Sequence, residues 1–76
     1  MVHAFIMVKT AAGKSEGLLA DIREQRSVSE AHIVAGDYDI IAEVDAEEVY
    51  TVLEVASSGI QGLGGVTDTR TYIAMD

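Results

Sequence analysis

The chain of 76 residues contains no cysteine, no proline and no tryptophan, and only 5 Lys or Arg residues stand against 13 Asp or Glu. Without cysteine, the chain can form no disulfide framework, no cysteine-ligated zinc site and no thiol nucleophile. The formal net charge of −8 argues against a nucleic-acid-binding surface, because phosphate contacts need clustered Lys and Arg. We therefore expect no direct contact with nucleic acid.

Long apolar runs are also missing. The longest apolar stretches have the length of strands, far short of the ~20 residues of a membrane-spanning helix. The first residues have an apolar centre but neither a basic leader nor a cleavage site, so we expect a cytoplasmic protein without membrane contact. Residues 1–76 are long enough for one domain with a thin core, and without disulfides such a domain usually gains stability by oligomerisation.

Strand-like and helix-like hydrophobic patterns alternate along the chain. Strands are predicted at residues 2–9, 28–35, 38–44 and 66–75, and amphipathic helices at residues 14–25 and from Asp45, as the N-cap, to about residue 60. Glu48, three residues after Asp45, completes a variant of the capping box. Gly36 and Asp37 predict a tight hairpin turn. The order βαββαβ predicts an α+β, ferredoxin-like fold, with a four-stranded antiparallel sheet and two helices on one face.

The predicted sheet is apolar on both faces, although two helices can cover only one. In the first strand the even-numbered residues form one apolar face, and Phe5 and Met7 lie on the other, as does Ile41 of the third strand. Soluble monomers rarely expose such a patch, so we predict a homodimer that packs sheet against sheet. The alternative is a set of scattered surface apolar residues, which are normal singly.

Few residues of the sequence are candidates for catalysis, metal binding or phosphate binding. His3 and His32 are far apart and lack the i, i+4 spacing of metal ligands, so hydrogen-bonded strand histidines are expected and no metal site is predicted. The glycine-rich residues 59–65 follow a helix and do not lead into one, so they do not form a phosphate loop. We predict no catalytic residues and no cofactor. The alternating threonines of residues 67–71 fit strand propensity, and a row of ligand-binding hydroxyls is the alternative.

Two motifs carry a resemblance to a known family. Residues 31–39 contain a glycine-any-Tyr-Asp turn, and residues 65–73 contain a Thr-Arg-Thr-Tyr strand. In this order, and from Phe5 to Met75, the chain resembles the effector-binding half of the Lrp/AsnC transcription regulators, a domain called RAM, for regulation of amino-acid metabolism. The first predicted strand begins almost at Met1, which leaves no room for the helix-turn-helix of these regulators. A stand-alone effector domain is therefore expected.

The resemblance implies a non-enzymatic domain that binds a small molecule, with an amino acid as the expected ligand. It also implies a homodimer, further assembly into a ring-like oligomer, and a full-length Lrp/AsnC regulator as a partner. Family ligands lie between dimers, near the hairpin turn and the last strand. By this resemblance, the candidate ligand-binding residues of the chain are Gly36, Tyr38, Asp39, Thr69, Thr71, Tyr72, Ile73 and Ala74. There, turn N–H groups suit a carboxylate and Asp39 suits an α-ammonium group. A small dimeric α+β-barrel enzyme and a purely structural assembly module stay open as other functions.

Overall fold

Strands and helices follow one another in the predicted order in the computed structural model, which describes all 76 residues. The elements are β1 (Val2–Thr10), α1 (Ser15–Arg23), β2 (Val28–Ile33), β3 (Ile40–Ala46), α2 (Val49–Glu54) with its continuation as a π-helix (Val55–Gln61), and β4 (Val66–Ile73). The strands pair antiparallel in the order β2-β3-β1-β4. The predicted ferredoxin-like α+β fold is confirmed. Neither helical segment has the length and apolar character of a membrane-spanning helix.

The hydrophobic core lies between the helices and one face of the sheet. The sheet contributes the even-numbered residues of β1 and β3, and these are fully buried from Ala4 to Val8 and from Ile40 to Val44. The helices contribute Leu18, Ile22, Val52, Ala56 and Ile60. A period of two in the strands and a spacing of three or four in the helices direct these side chains to one interior. The predicted division of β1 and β3 into two faces is confirmed.

The connection between β2 and β3 is longer than the predicted two-residue turn. It comprises residues 34–39, which we call the connecting loop, and the Val34 N–H donates a hydrogen bond to the Asp39 carbonyl at 2.8 Å. The Asp39 N–H donates to the Val8 carbonyl of β1 at 2.9 Å. The predicted tight turn at Gly36 and Asp37 is wrong, because β2 already ends at Ile33 and β3 begins only at Ile40, so six residues join the strands.

The second helix begins later than its predicted cap. Strand β3 extends through Asp45 to Ala46, and α2 starts only after Glu48, whose side chain makes no capping hydrogen bond. The Asp45 carboxylate instead meets the ring of His3, which lies opposite it in the β1–β3 pair. The predicted N-cap is therefore wrong, because a partner across the sheet takes the carboxylate before the chain leaves the strand.

The outer edge of β2 is covered at its centre by a side chain of α1. Both Nε and Nη2 of Arg23 donate hydrogen bonds to the Ala31 carbonyl, at 3.0 and 2.8 Å. Unpaired carbonyls on an edge strand are pairing sites for strands of other molecules. The guanidinium occupies one of these sites.

Candidate ligand-binding site and open sheet face

The face of the sheet opposite the helices is covered by no other element of the chain, and we call it the open face. Alternate residues of all four strands form it: Glu30, His32, Ile41, Glu43, Asp45, His3, Phe5, Met7, Lys9, Asp68, Arg70 and Tyr72. Phe5, Met7 and Ile41, near its centre, are only half-buried. An apolar centre with a charged margin is the usual composition of a protein–protein interface.

Asp39 fixes the connecting loop to the end of β1. Its Oδ2 accepts hydrogen bonds from the Thr10 N–H at 2.8 Å and from the Thr10 hydroxyl at 3.3 Å. The same hydroxyl lies 2.8 Å from the hydroxyl of Ser15, the first residue of α1. Asp39 therefore has a structural role within one chain, while its Oδ1 makes no hydrogen bond there. An ammonium group bound to Asp39 stays a prediction.

Tyr38 lies next to Asp39 and brings two cations to one corner of the open face. The Lys9 Nζ lies 5.7 Å from the centroid of the Tyr38 ring, within the range of a cation–π contact. The phenol of Tyr38 also raises the pKa of the Arg70 guanidinium above its ordinary value, and Tyr72 and Asp68 act in the same direction. Sequence reasoning did not include Lys9 and Arg70 among the candidates near Tyr38. The signal that finds them is the antiparallel register, which directs both to the open face.

The candidates on β4 divide between the two faces of the sheet. Thr69, Thr71 and Ile73 lie opposite the buried residues of β1 and therefore face the helices. The Thr69 hydroxyl accepts a hydrogen bond from the Gln61 side chain at 2.7 Å. Tyr72 is on the open face and is 56% exposed. Thr69 and Thr71 therefore share the helix-facing side of β4, and a row of ligand-binding hydroxyls stays a prediction.

The eight candidates do not surround one cavity of a single chain. Gly36 lies exposed in the connecting loop, and Tyr38 and Asp39 lie at the Lys9 end of β1. Ala74 lies at the other end of β1, where its N–H donates to the His3 carbonyl at 2.9 Å. At about 3.3 Å per residue, Ala74 is roughly 17 Å from Thr69 along β4. A cleft of about 350 Å³, lined by Gln61 and residues 66–69, includes only Thr69 among the candidates.

A titratable cluster occupies the end of the open face farthest from Lys9. His3 Nδ1 lies 2.5 Å from Asp45 Oδ1, and His3 Nε2 lies 3.2 Å from Glu43 Oε1; we call these three residues the His3 cluster. The hydrogen bond to Asp45 raises the pKa of His3 above its ordinary value, against a smaller effect of desolvation, and Glu43 adds to the rise. The same hydrogen bond lowers the pKa of Asp45. The interpretation of His3 as a hydrogen-bonded strand histidine is confirmed, but sequence reasoning did not identify its partners.

Comparison with known proteins gives one family. A sequence profile of the Lrp/AsnC ligand binding domain matches residues 3–76. The HTH-type transcriptional regulator FL11 of Pyrococcus abyssi is 29% identical in an alignment of 75 positions that covers 95% of this chain and 47% of that protein. The Leucine-responsive regulatory protein of Haemophilus influenzae is 30% identical over 57 residues, or 75% of this chain and 34% of that protein. The chain thus spans less than half the length of these relatives.

Solved structures also match the fold over almost the whole chain. The crystal structure of TTHA0845 from Thermus thermophilus matches with a TM-score of 0.96 and 32% identity, over 100% of this chain and 95% of that chain. Escherichia coli AsnC matches with a TM-score of 0.90 and 25% identity, over 99% of this chain and 51% of that chain. With the fold, the profile and these relatives in agreement, the chain belongs to the Lrp/AsnC ligand-binding domain family.

Proposed function

We propose that this domain binds a free amino acid as a homo-oligomer and thereby modulates a DNA-binding Lrp/AsnC regulator, without catalysing a reaction. The observation that carries the proposal is the separation of the candidate residues. Tyr38 and Asp39 lie at one end of β1 and Ala74 at the other. A ligand as small as an amino acid can touch both groups only where two copies of the chain meet.

The open face supports a second copy as the partner. Its centre presents Phe5, Met7 and Ile41, and a second sheet is the cover that removes all three from water. Each copy has a net charge of −8, so two copies repel at long range. The open face offsets this repulsion locally, because it carries cations as well as carboxylates. Lys9 and Arg70 at one corner complement the acidic residues of a facing copy.

The chemistry of the loop corner favours a zwitterion. An amino acid presents a carboxylate and an ammonium group a few bonds apart. Lys9 and Arg70 supply positive charge for the first, and the Oδ1 of Asp39 supplies an acceptor for the second. A transcriptional regulator of Neisseria meningitidis that shares this fold was solved as a complex with L-Met. We extend the ligand class, and not the particular amino acid, to this chain.

An effect on transcription would reach DNA through another chain. The Lrp/AsnC relatives named above are regulators of transcription. This chain has only 5 basic residues, and on the open face Lys9 and Arg70 are accompanied by four carboxylates. Such a surface lacks the clustered positive charge that binds phosphates. Mixed assembly with a regulator of the same family is the route we propose.

The test combines sedimentation with a thermal-shift screen against the common amino acids. We expect a dimer or larger oligomer at micromolar concentration, and a higher melting temperature with at least one amino acid. A ligand at a hundredfold excess over its Kd stabilises the folded state by about 2.7 kcal/mol. Phe5→Asp, which places a charge at the centre of the open face, should give monomers and abolish the ligand effect.

Tyr50→Asp is the matched control. Tyr50 is an aromatic residue of α2 that is 67% exposed and lies outside the open face, so its substitution should preserve the oligomer and the ligand effect. A stably folded wild-type monomer of 8.1 kDa would refute the proposal. An oligomer that no amino acid stabilises would replace it with the structural assembly module that the sequence leaves open.

A further inference from the structure

Both ring nitrogens of His3 face carboxylate oxygens on the open face. Nδ1 lies 2.5 Å from Asp45 and Nε2 lies 3.2 Å from Glu43. Ionised carboxylates only accept hydrogen bonds, whereas a neutral imidazole has one N–H and one acceptor nitrogen. Only the protonated ring donates to both carboxylates at once. The geometry of the His3 cluster is therefore that of an imidazolium.

No other cationic group forms an ion pair with the carboxylates of the cluster. On the far side of β3, Glu30 of β2 lies opposite Glu43, and its carboxylate is 3.1 Å from His32. Strand β4 brings Tyr72 to this level, and Asp76 follows two residues after Ala74. The α-amino group of Met1, two residues before His3, makes no ion pair. Lys9 and Arg70 lie toward the other end of the face.

We propose that His3 makes assembly through the open face dependent on pH: the protonated side chain permits the cluster to be covered by a second copy, and loss of the proton weakens the oligomer. This inference rests on the open-face assembly proposed above. With His3 protonated, the cluster carries one net negative charge. With His3 neutral, it carries two, and covering the cluster is then less favourable because more uncompensated charge has to leave water.

Covering the cluster also strengthens its internal attraction. About a third of each side chain is exposed in one chain, at 37% for His3 and 29% for Glu43. A second copy replaces that water with protein, where opposite charges attract more strongly. The pKa of His3, already raised by Asp45 and Glu43, should rise further on association. Because each dimer contains two His3 residues, a roughly threefold gain in proton affinity at each changes the dimer Kd about tenfold over the titration range.

The experiment measures the dimer Kd of the whole chain between about pH 6 and pH 9 by fluorescence-detected sedimentation, a range that titrates histidine and leaves carboxylates ionised. We expect the Kd of the wild type to rise about tenfold or more as the pH rises. His3→Gln should show a nearly flat profile. It retains every other titratable group of the chain, so the difference between the two profiles belongs to His3.

His32→Gln is the matched control. His32 is the other histidine of the chain, also on the open face, but it is 60% exposed and contacts only Glu30, so its substitution should preserve the pH dependence. Circular dichroism checks that each variant is folded. A wild-type dimer with a flat or inverted profile, or an unchanged slope in His3→Gln, would overturn the role of His3 and leave the dimer standing. Monomers at every pH would overturn open-face assembly itself.

Discussion

Asp39 holds a structural position and a predicted ligand-binding position at once, and two substitutions separate them. Asp39→Ala removes the acceptor that binds the Thr10 N–H at 2.8 Å and the Thr10 hydroxyl at 3.3 Å. Hydrogen bonds to a charged group contribute about 1.5–3 kcal/mol, and the longer of the two contacts adds little. We expect Asp39→Ala to reduce the free energy of unfolding by about 1.5–3 kcal/mol, because the connecting loop loses its attachment to β1.

Asp39→Asn keeps a carbonyl oxygen where Thr10 needs an acceptor and removes only the charge. The loss of stability should then be about 1–1.5 kcal/mol, the difference between a hydrogen bond to a charged group and a neutral one. Ligand affinity should be more sensitive than stability to the loss of the charge. If Asp39 receives the ammonium group of an amino acid, loss of the charge lowers affinity about ten- to a hundredfold even in the folded Asn variant.

The assay is thermal and urea-induced unfolding at one fixed protein concentration, followed by titration calorimetry with the stabilising amino acid. For a domain of this size, each kcal/mol lowers the melting temperature by roughly 4–8 °C. An Asp39→Ala variant that melts within about 2 °C of the wild type would refute the structural role. Unchanged affinity in a folded Asp39→Asn oligomer would show that Asp39 is a loop residue only.

Three further predictions concern the core, one glycine and pH. Ile6→Ala, at a fully buried position of β1, should cost about 2–5 kcal/mol in urea unfolding, and a loss below about 1 kcal/mol would contradict the assigned core. Gly65→Ala should cost roughly 1–2 kcal/mol in thermal unfolding, because φ is +103° and the new methyl group would lie 3.2 Å from Leu18; an unchanged melting temperature would refute this conformation. The raised pKa of His3 makes its contribution to stability complete below about pH 6.5, and that contribution is lost as pH rises through the pKa of the folded state. The stability difference between wild type and His3→Gln, measured by urea unfolding, should therefore shrink toward alkaline pH, and a growing difference would contradict the sign.

The fold can be predicted from the sequence because its hydrophobic residues recur at regular spacing. The even-numbered residues of β1, from Ala4 to Val8, repeat every two positions, and Leu18 and Ile22 repeat at helical spacing. Each repeat specifies a face without reference to the rest of the chain. The element order then leaves few topologies, because a strand-rich chain with two helices must bury one side of its sheet.

The ends of elements and the site depend on contacts that no local pattern contains. Asp45 has the composition of a helix cap, and its actual partner, His3, is 42 positions away in the sequence. Asp39 likewise looks like a turn residue, while its carboxylate binds Thr10, 29 positions away. The proximity of Tyr38 and Lys9 follows only from the pairing of β1 with β3. Such contacts become visible when strand register is known.

The contact between Arg23 and the Ala31 carbonyl bears on whether copies of this chain form finite particles or fibres. Packing of one open face on another is self-limiting, since each face is used up by a single neighbour. Addition of strands along β2 would have no such limit, because every added molecule presents a new edge to the next. A strand arriving at β2 must first displace a charged side chain that donates twice to the carbonyl at its centre. This arrangement biases a chain with an exposed apolar sheet face away from fibrillar growth.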